Sequence, residues 1–174
     1  MSTQEDGVLL TRLRVARPDD SDLLAAWSAD PASPYDDWTG PEPPGTDDLH
    51  VERSHGMREL VVTDGDDVPI GTVSWRPVQY GPNVGSQALD IGITLRPASR
   101  GRGHGARAQA MLARYLFTTT PVFRIQASTD IRNVPEQRAL ERAGFLREGV
   151  LRGAQWRQGV WHDLVSYARL RGDS

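Results

Sequence analysis

Residues 95–106 read Leu-Arg-Pro-Ala-Ser-Arg-Gly-Arg-Gly-His-Gly-Ala, a loop of alternating glycines at 101, 103 and 105 with arginines threaded through it. The apolar run Ala88-Leu-Asp-Ile-Gly-Ile-Thr-Leu95 precedes it with the look of a strand, and an amphipathic helical pattern follows. The segment must therefore carry the chain from a strand end into a helix start. Glycine lets the backbone turn tightly and come close to a ligand. The first N–H groups of a helix, backed by its dipole, attract anions. Arg100, Arg102 and Arg107 add positive charge. The unit reads as a pocket for a phosphorylated ligand.

Hydrophobic periodicity places the other elements around it. Residues 9–16 alternate as a half-buried strand, and 19–29 form a helix with Leu23, Leu24 and Trp27 on one face. Residues 58–63 and 68–78 are strands joined at Asp64-Gly-Asp-Asp67, a hairpin signal. After the strand 88–95, the helix 103–117 sets Ala108, Met111, Leu112, Tyr115 and Leu116 on one stripe. A strand over 123–129, a helix over 134–143 ended by Gly144, and a hairpin of 146–156 with 160–170 turned near Gln158-Gly159 complete the chain. This order implies an α/β (α+β) domain around a mixed sheet, with 174 residues forming one domain whose core spans 9–170.

The stretch 31–58 is different, being rich in Pro, Gly and Asp, with Pro-Glu-Pro-Pro-Gly at 41–45. Loops this long inside a domain are often functional. We read it as a substrate loop in which Asp36, Asp37, Asp47 and Asp48 form an acidic mouth for a cationic substrate, the alternative being a solvated surface. Trp38, Trp75 and Trp156 are placed to line an acceptor pocket, or else to pack a core or hairpin.

Composition removes several chemistries. There is no cysteine, hence no disulfide, thiolate metal site or cysteine nucleophile, and all 20 basic residues are arginine, hence no Schiff-base or Walker-type lysine. The four histidines (50, 55, 104 and 162) lack metal-ligand spacing, so no metal is expected. A net charge of -3 offers no general attraction to nucleic acid or anionic membrane. No apolar run approaches the ~20 residues of a membrane span, and the polar, acidic start is unlike a secretory signal. The expectation is a cytoplasmic protein.

Which phosphate ligand the loop holds has two serious answers. Gly101-x-Gly103-x-x-Ala106 fits a relaxed dinucleotide fingerprint, with Asp130 following the next strand. Against it, residues 96–100 separate the strand end from Gly101, and the motif begins past the chain's midpoint. The alternative rests on more of the chain. Arg100-x-x-Gly103-x-Gly105 resembles the pyrophosphate loop of the GNAT family of acyl-CoA-dependent N-acyltransferases. Asn133-Val-Pro-Glu-Gln-Arg-Ala-Leu-Glu-Arg-Ala-Gly-Phe145 resembles the Asn-to-Gly-Phe signature of its RimJ/RimL-like branch, as does the tail Gly159-Val-Trp-His-Asp-Leu-Val-Ser-Tyr167.

That resemblance implies a GNAT fold: a mixed central sheet of six to seven strands, helices on both faces, and a central strand pair that splays apart. It implies acetyl-CoA as acyl donor and a primary amine of a small molecule or protein N-terminus as acceptor, with direct transfer. Ile93, Thr94 and Leu95 would meet the pantetheine arm, and Arg100, Gly101, Arg102, Gly103, His104, Gly105 and Ala106 the pyrophosphate, with Asn133 and Arg138 also at the cofactor. Asn133-x-x-Glu136 equally reads as a helix capping box. Asp90 is the candidate general base. The family's usual thiolate-protonating positions hold Leu140 and Glu136, which leaves Glu136 as the candidate acid. A homodimer is compatible with the resemblance. Two other functions stay open on the same fold: transfer of an aminoacyl group from charged tRNA, and acyl-CoA binding without catalysis.

Overall fold

A computed structural model describes residues 10–29, 33–35, 37–38, 40–43 and 56–173. The chain runs through β1 (Arg12–Arg14), a 3-10 turn (Pro18–Asp20), α1 (Ser21–Ala29), β2 (Arg58–Thr63), β3 (Pro69–Gln79), β4 (Gln87–Leu95), α2 (His104–Thr119), β5 (Arg124–Asp130), α3 (Val134–Arg142), β6 (Leu146–Arg157) and β7 (Val160–Leu170). The seven strands form one mixed sheet in the order β1-β2-β3-β4-β5-β7-β6. Only β4 and β5 pair in parallel, because a helical crossover joins them.

The elements follow from their patterns. In β4, Leu89 and Ile91 are buried and share a face with Ile93 and Leu95, while Asp90, Gly92 and Thr94 alternate to the other. In α2, Ala108, Leu112, Ala113 and Leu116 are buried and join a core with Val62, Val73, Trp75, Ile125, Leu140 and Phe145. The β6–β7 turn places Gln158 (φ 50°) and Gly159 (φ 76°) both in the left-handed region, as a two-residue hairpin turn requires. The β2–β3 turn is held by Asp64, whose carboxylate accepts the N–H groups of Asp66 and Val68, each at 3.0 Å. Strand β1 is shorter than its alternation predicts, with only three pairs to β2 at the sheet's edge.

One irregularity shapes the middle of the sheet. β4 pairs with β3 along its whole length, but with β5 only at Leu89–Ile125 and Asp90–Gln126. On its other side β5 pairs with β7 throughout. Past Asp90 the two central strands therefore diverge. Beyond the strand, the Arg96 N–H donates to the Ile70 carbonyl at 2.9 Å. Antiparallel alternation then turns the backbone groups of Thr94, Gly92 and Asp90 toward β3, and those of Ile91, Ile93 and Leu95 toward the gap.

Candidate active site

The gap between β4 and β5 opens into a cleft of about 690 Å³ that runs through the sheet. On the helix side it is bounded by the loop after β4 and by α2 and α3. A 3-10 turn over Pro97–Ser99 leads away from the strand, and the Arg100 side chain reaches back to donate from Nε to the Leu95 carbonyl at 2.9 Å. Gly101 (φ 72°) and Gly103 (φ 88°) then occupy the left-handed region, which glycine alone adopts without strain. The α2 N-cap is Gly103, which supplies no side-chain acceptor. The N–H groups of residues 104–106 thus have no helical partner, and Gly105 and Ala106 line the cleft. Across it, Arg138 and Arg142 of α3 line the same opening. Together these groups make a positive, donor-rich mouth suited to phosphates.

At Gly105 the helix passes close to the strand: a side chain there would meet Leu95 at 3.6 Å, Ala139 at 3.8 Å and Ile93 at 4.0 Å. One turn further along α2, Gln109 also lines the cleft, although it is 1% exposed.

The lining also includes Gly92, Thr94, Ser128 and Leu164 of the sheet, together with Tyr35 and Trp38. In the same lining, at the end of β5, Asp130 is buried among cations. Its carboxylate accepts from the Arg132 backbone N–H at 2.8 Å and Nε at 3.3 Å, and it pairs with the equally buried Arg157. Burial works to raise the Asp130 carboxyl, but the hydrogen bonds of Arg132 and the charges of Arg132 and Arg157 outweigh it and hold the group below the usual carboxylate range. Arg132 donates to His162 Nδ1 at 2.8 Å, so His162 carries its proton on Nε2, facing the Arg157 carbonyl at 3.2 Å. Arg157 also donates to the Pro34 carbonyl at 2.6 Å and lies 5.8 Å from the Tyr35 ring centroid. The cluster fastens residues 34 and 35 to the β6–β7 hairpin.

The residues singled out in the sequence divide in two. Ile93, Thr94, Leu95, Arg100, Gly101, Gly103, Gly105, Ala106, Asn133, Glu136, Arg138 and Trp38 converge on the cleft. Arg102 and His104 do not line it. The His104 ring is buried with Nδ1 2.9 Å from Thr11 Oγ1, and burial lowers its pKa. Asp90 lies at the closed end of the gap, outside the lining, ion-paired to Arg76 at 3.1 Å. Asn133 uses both ends of its side chain in the fold: Oδ1 accepts the Glu136 N–H at 3.4 Å and Nδ2 donates to Thr129 Oγ1 at 3.0 Å. Its own N–H donates to the Asp130 carbonyl at 2.8 Å.

Of the candidate acceptor residues, Trp75 is a core residue, 8% exposed and edge-on to Tyr115 at 6.2 Å, because its position in β3 faces the helices. Trp156 lies outside the lining; its indole donates to the Pro41 carbonyl at 2.7 Å and packs edge-on to Trp161. Asp37 accepts from the Gln158 side chain at 2.6 Å, also outside the lining. Asp36, like Asp47 and Asp48, lies outside the described residues. Sequence reasoning missed Gln109, Tyr35 and the roles of Arg157 and His162. Asp130 had entered only as a possible dinucleotide ligand.

Residues 11–146 match the Acetyltransferase (GNAT) domain, and the chain belongs to that family. It is 35% identical over 123 residues to Probable N-acetyltransferase YjcK of Bacillus subtilis (strain 168), a match covering 71% of this chain and 66% of that protein, just under two thirds of its length. Among solved structures it is similar to Mycobacterium smegmatis RimJ in complex with CoA-disulfide, with a TM-score of 0.70 and 26% identity over 92% of this chain and 81% of that one. It shares its fold with the spermidine N-acetyltransferase from Vibrio cholerae in complex with CoA and spermine, with a TM-score of 0.73 and 19% identity over 94% and 96% of the two chains.

Proposed function

We propose that this protein transfers an acyl group, acetyl in the first instance, from acyl-CoA to a primary amine of a small molecule or a protein N-terminus. One observation carries the reading: β4 and β5 part immediately after Asp90 and Gln126, so a strand edge with unpaired backbone groups leads directly from a phosphate-binding mouth into the sheet. A long arm with amides along it and phosphates at one end fits that shape. A dinucleotide fits it less well, since the glycine loop stands off the strand end by the turn over Pro97–Ser99.

The donor supplies an activated acyl carbon through its thioester. The chain supplies the rest. The N–H groups of residues 101–106 and the guanidinium groups of Arg100 and Arg138 hold the phosphates. Ile93 offers its N–H and C=O to the arm, while the Leu95 carbonyl is already engaged by Arg100. An N–H on the open edge of β4 would face the carbonyl oxygen, on which negative charge develops as the C–N bond forms and from which it passes to the sulfur as the C–S bond breaks. Asp90 shares a strand face with Gly92 and Thr94, both in the lining, and takes the amine proton through water. Glu136, in the lining at the start of α3, stands nearest the role of proton donor to the departing sulfur. The acceptor enters over Tyr35 and Trp38.

Isothermal titration with acetyl-CoA, with NAD as control, followed by thiol release across a panel of amines, tests the reading. We expect binding of acetyl-CoA alone and thiol release with at least one amine. Binding of NAD in preference overturns the donor assignment. Binding without thiol release from any amine marks a silent acyl-CoA-binding protein.

A further inference from the structure

Among the described residues, four buried side-chain atoms have no hydrogen-bond partner: Trp27 Nε1, Thr63 Oγ1, Gln109 Nε2 and Arg157 Nε. Of these residues only Gln109 lines the cleft. It lies on α2 one turn beyond Gly105, about 6 Å deeper along the helix axis than the phosphate-binding N–H groups. Its neighbours on the helix are the apolar core residues Ala108, Leu112 and Ala113. A carboxamide in that setting is destabilising if left unpaired, and leucine or methionine fills the same space without that cost.

The structure assigns Gln109 a partner in the donor: we propose that its carboxamide hydrogen-bonds an amide of the CoA arm, fixing the arm's depth in the gap. The inference rests on the acyl-CoA reading above. Its geometry is simple. The arm leaves the phosphates at the α2 N-terminus and enters between β4 and β5. Ile93 is the strand-side contact, and Gln109 is the helix-side contact at the next level down. Two directional contacts, one from the strand and one from the helix, hold an otherwise freely rotating chain at one height, so that the reacting carbon stops at the level of Gly92 and Ser128.

The test is calorimetric titration of the full chain and its Gln109→Leu variant with two probes: CoA, and 3′-phospho-ADP, which is CoA without its arm. The proposal expects CoA affinity to fall about tenfold in the variant, 3′-phospho-ADP affinity to stay the same, and the ligand-free variant to melt no lower than the parent. Equal CoA affinity in variant and parent overturns it, as does an equal loss for both probes. If Gln109→Leu does not fold, Gln109→Met is judged by the same criteria. A parent chain that binds neither probe overturns the donor reading and the contact together. A parent that binds CoA, with a variant that matches it, overturns the contact alone.

Discussion

Asp130 and Arg157 form an ion pair in which each side chain is 1% exposed, 27 residues apart in sequence and joined beside the cleft. Removing one partner of such a pair strands the other charge. Arg157→Met should destabilise the protein by about 3 kcal/mol, at the low end for buried pairs because Arg132 still faces the carboxylate. For a chain of this size that is a fall of about 6–12 °C in melting temperature. Adding Asp130→Leu to Arg157→Met should recover most of it. A single variant that melts with the parent would show that the pair contributes nothing.

Asp20 gives the stability a defined acid dependence. Hydrogen bonds from Arg14, at 2.6 and 3.0 Å, and from the Arg17 N–H, at 2.6 Å, lower its carboxyl from 3.8 to about 2. A group whose pKa is depressed by folding contributes fully above its unfolded value and loses that contribution as pH falls through the folded one. The contribution is therefore present above about pH 4 and lost toward pH 2. Urea unfolding of Asp20→Asn should show a lower plateau above pH 4 and a shallower decline below it. Parallel curves for the two proteins would remove Asp20 from the acid limb.

Gly103 caps α2 with φ 88°. A β-branched side chain there costs roughly 1–2 kcal/mol of backbone strain and tilts the first turn. Gly103→Val should abolish measurable acetyl-CoA binding by titration while circular dichroism still reports a folded protein. Retained affinity in the folded variant would move the phosphate site elsewhere.

Asp90→Asn separates chemistry from binding. It should lower kcat at least tenfold with acetyl-CoA affinity unchanged, since Asp90 stands outside the cleft lining and meets Arg76 and Gln126 instead. Full activity would leave Asp90 as a structural partner of Arg76.

Much of this was legible because it is local. The glycine–arginine loop, the 3.6-residue stripe of α2 and the Gln158-Gly159 turn each depend on neighbours in sequence. What escaped depends on register. Arg76 and Asp90 face each other only because β3 and β4 pair 76 with 90. Trp75 was a candidate for the pocket, and the same register turns it into the core. Arg157 meets Asp130 only once β7 has placed the β6 hairpin beside β5. Gln109 carries no signal at all in a pattern of apolar and polar positions: it reads as one more polar residue on a helix. Much of the stretch 31–58 lies outside the described residues, so its expected acidic mouth gains no structural account.

The parting of β4 from β5 has a mechanical meaning. Beyond Asp90 and Gln126, among the described residues, no ladder stitches the four-strand half of the sheet to the three-strand half, so the fold keeps a seam along its own centre line. On the acyl-CoA reading, the donor's arm would fill that seam as a strand the polypeptide does not encode. Loading it should slow amide exchange along both β4 and β5, and release should loosen both together.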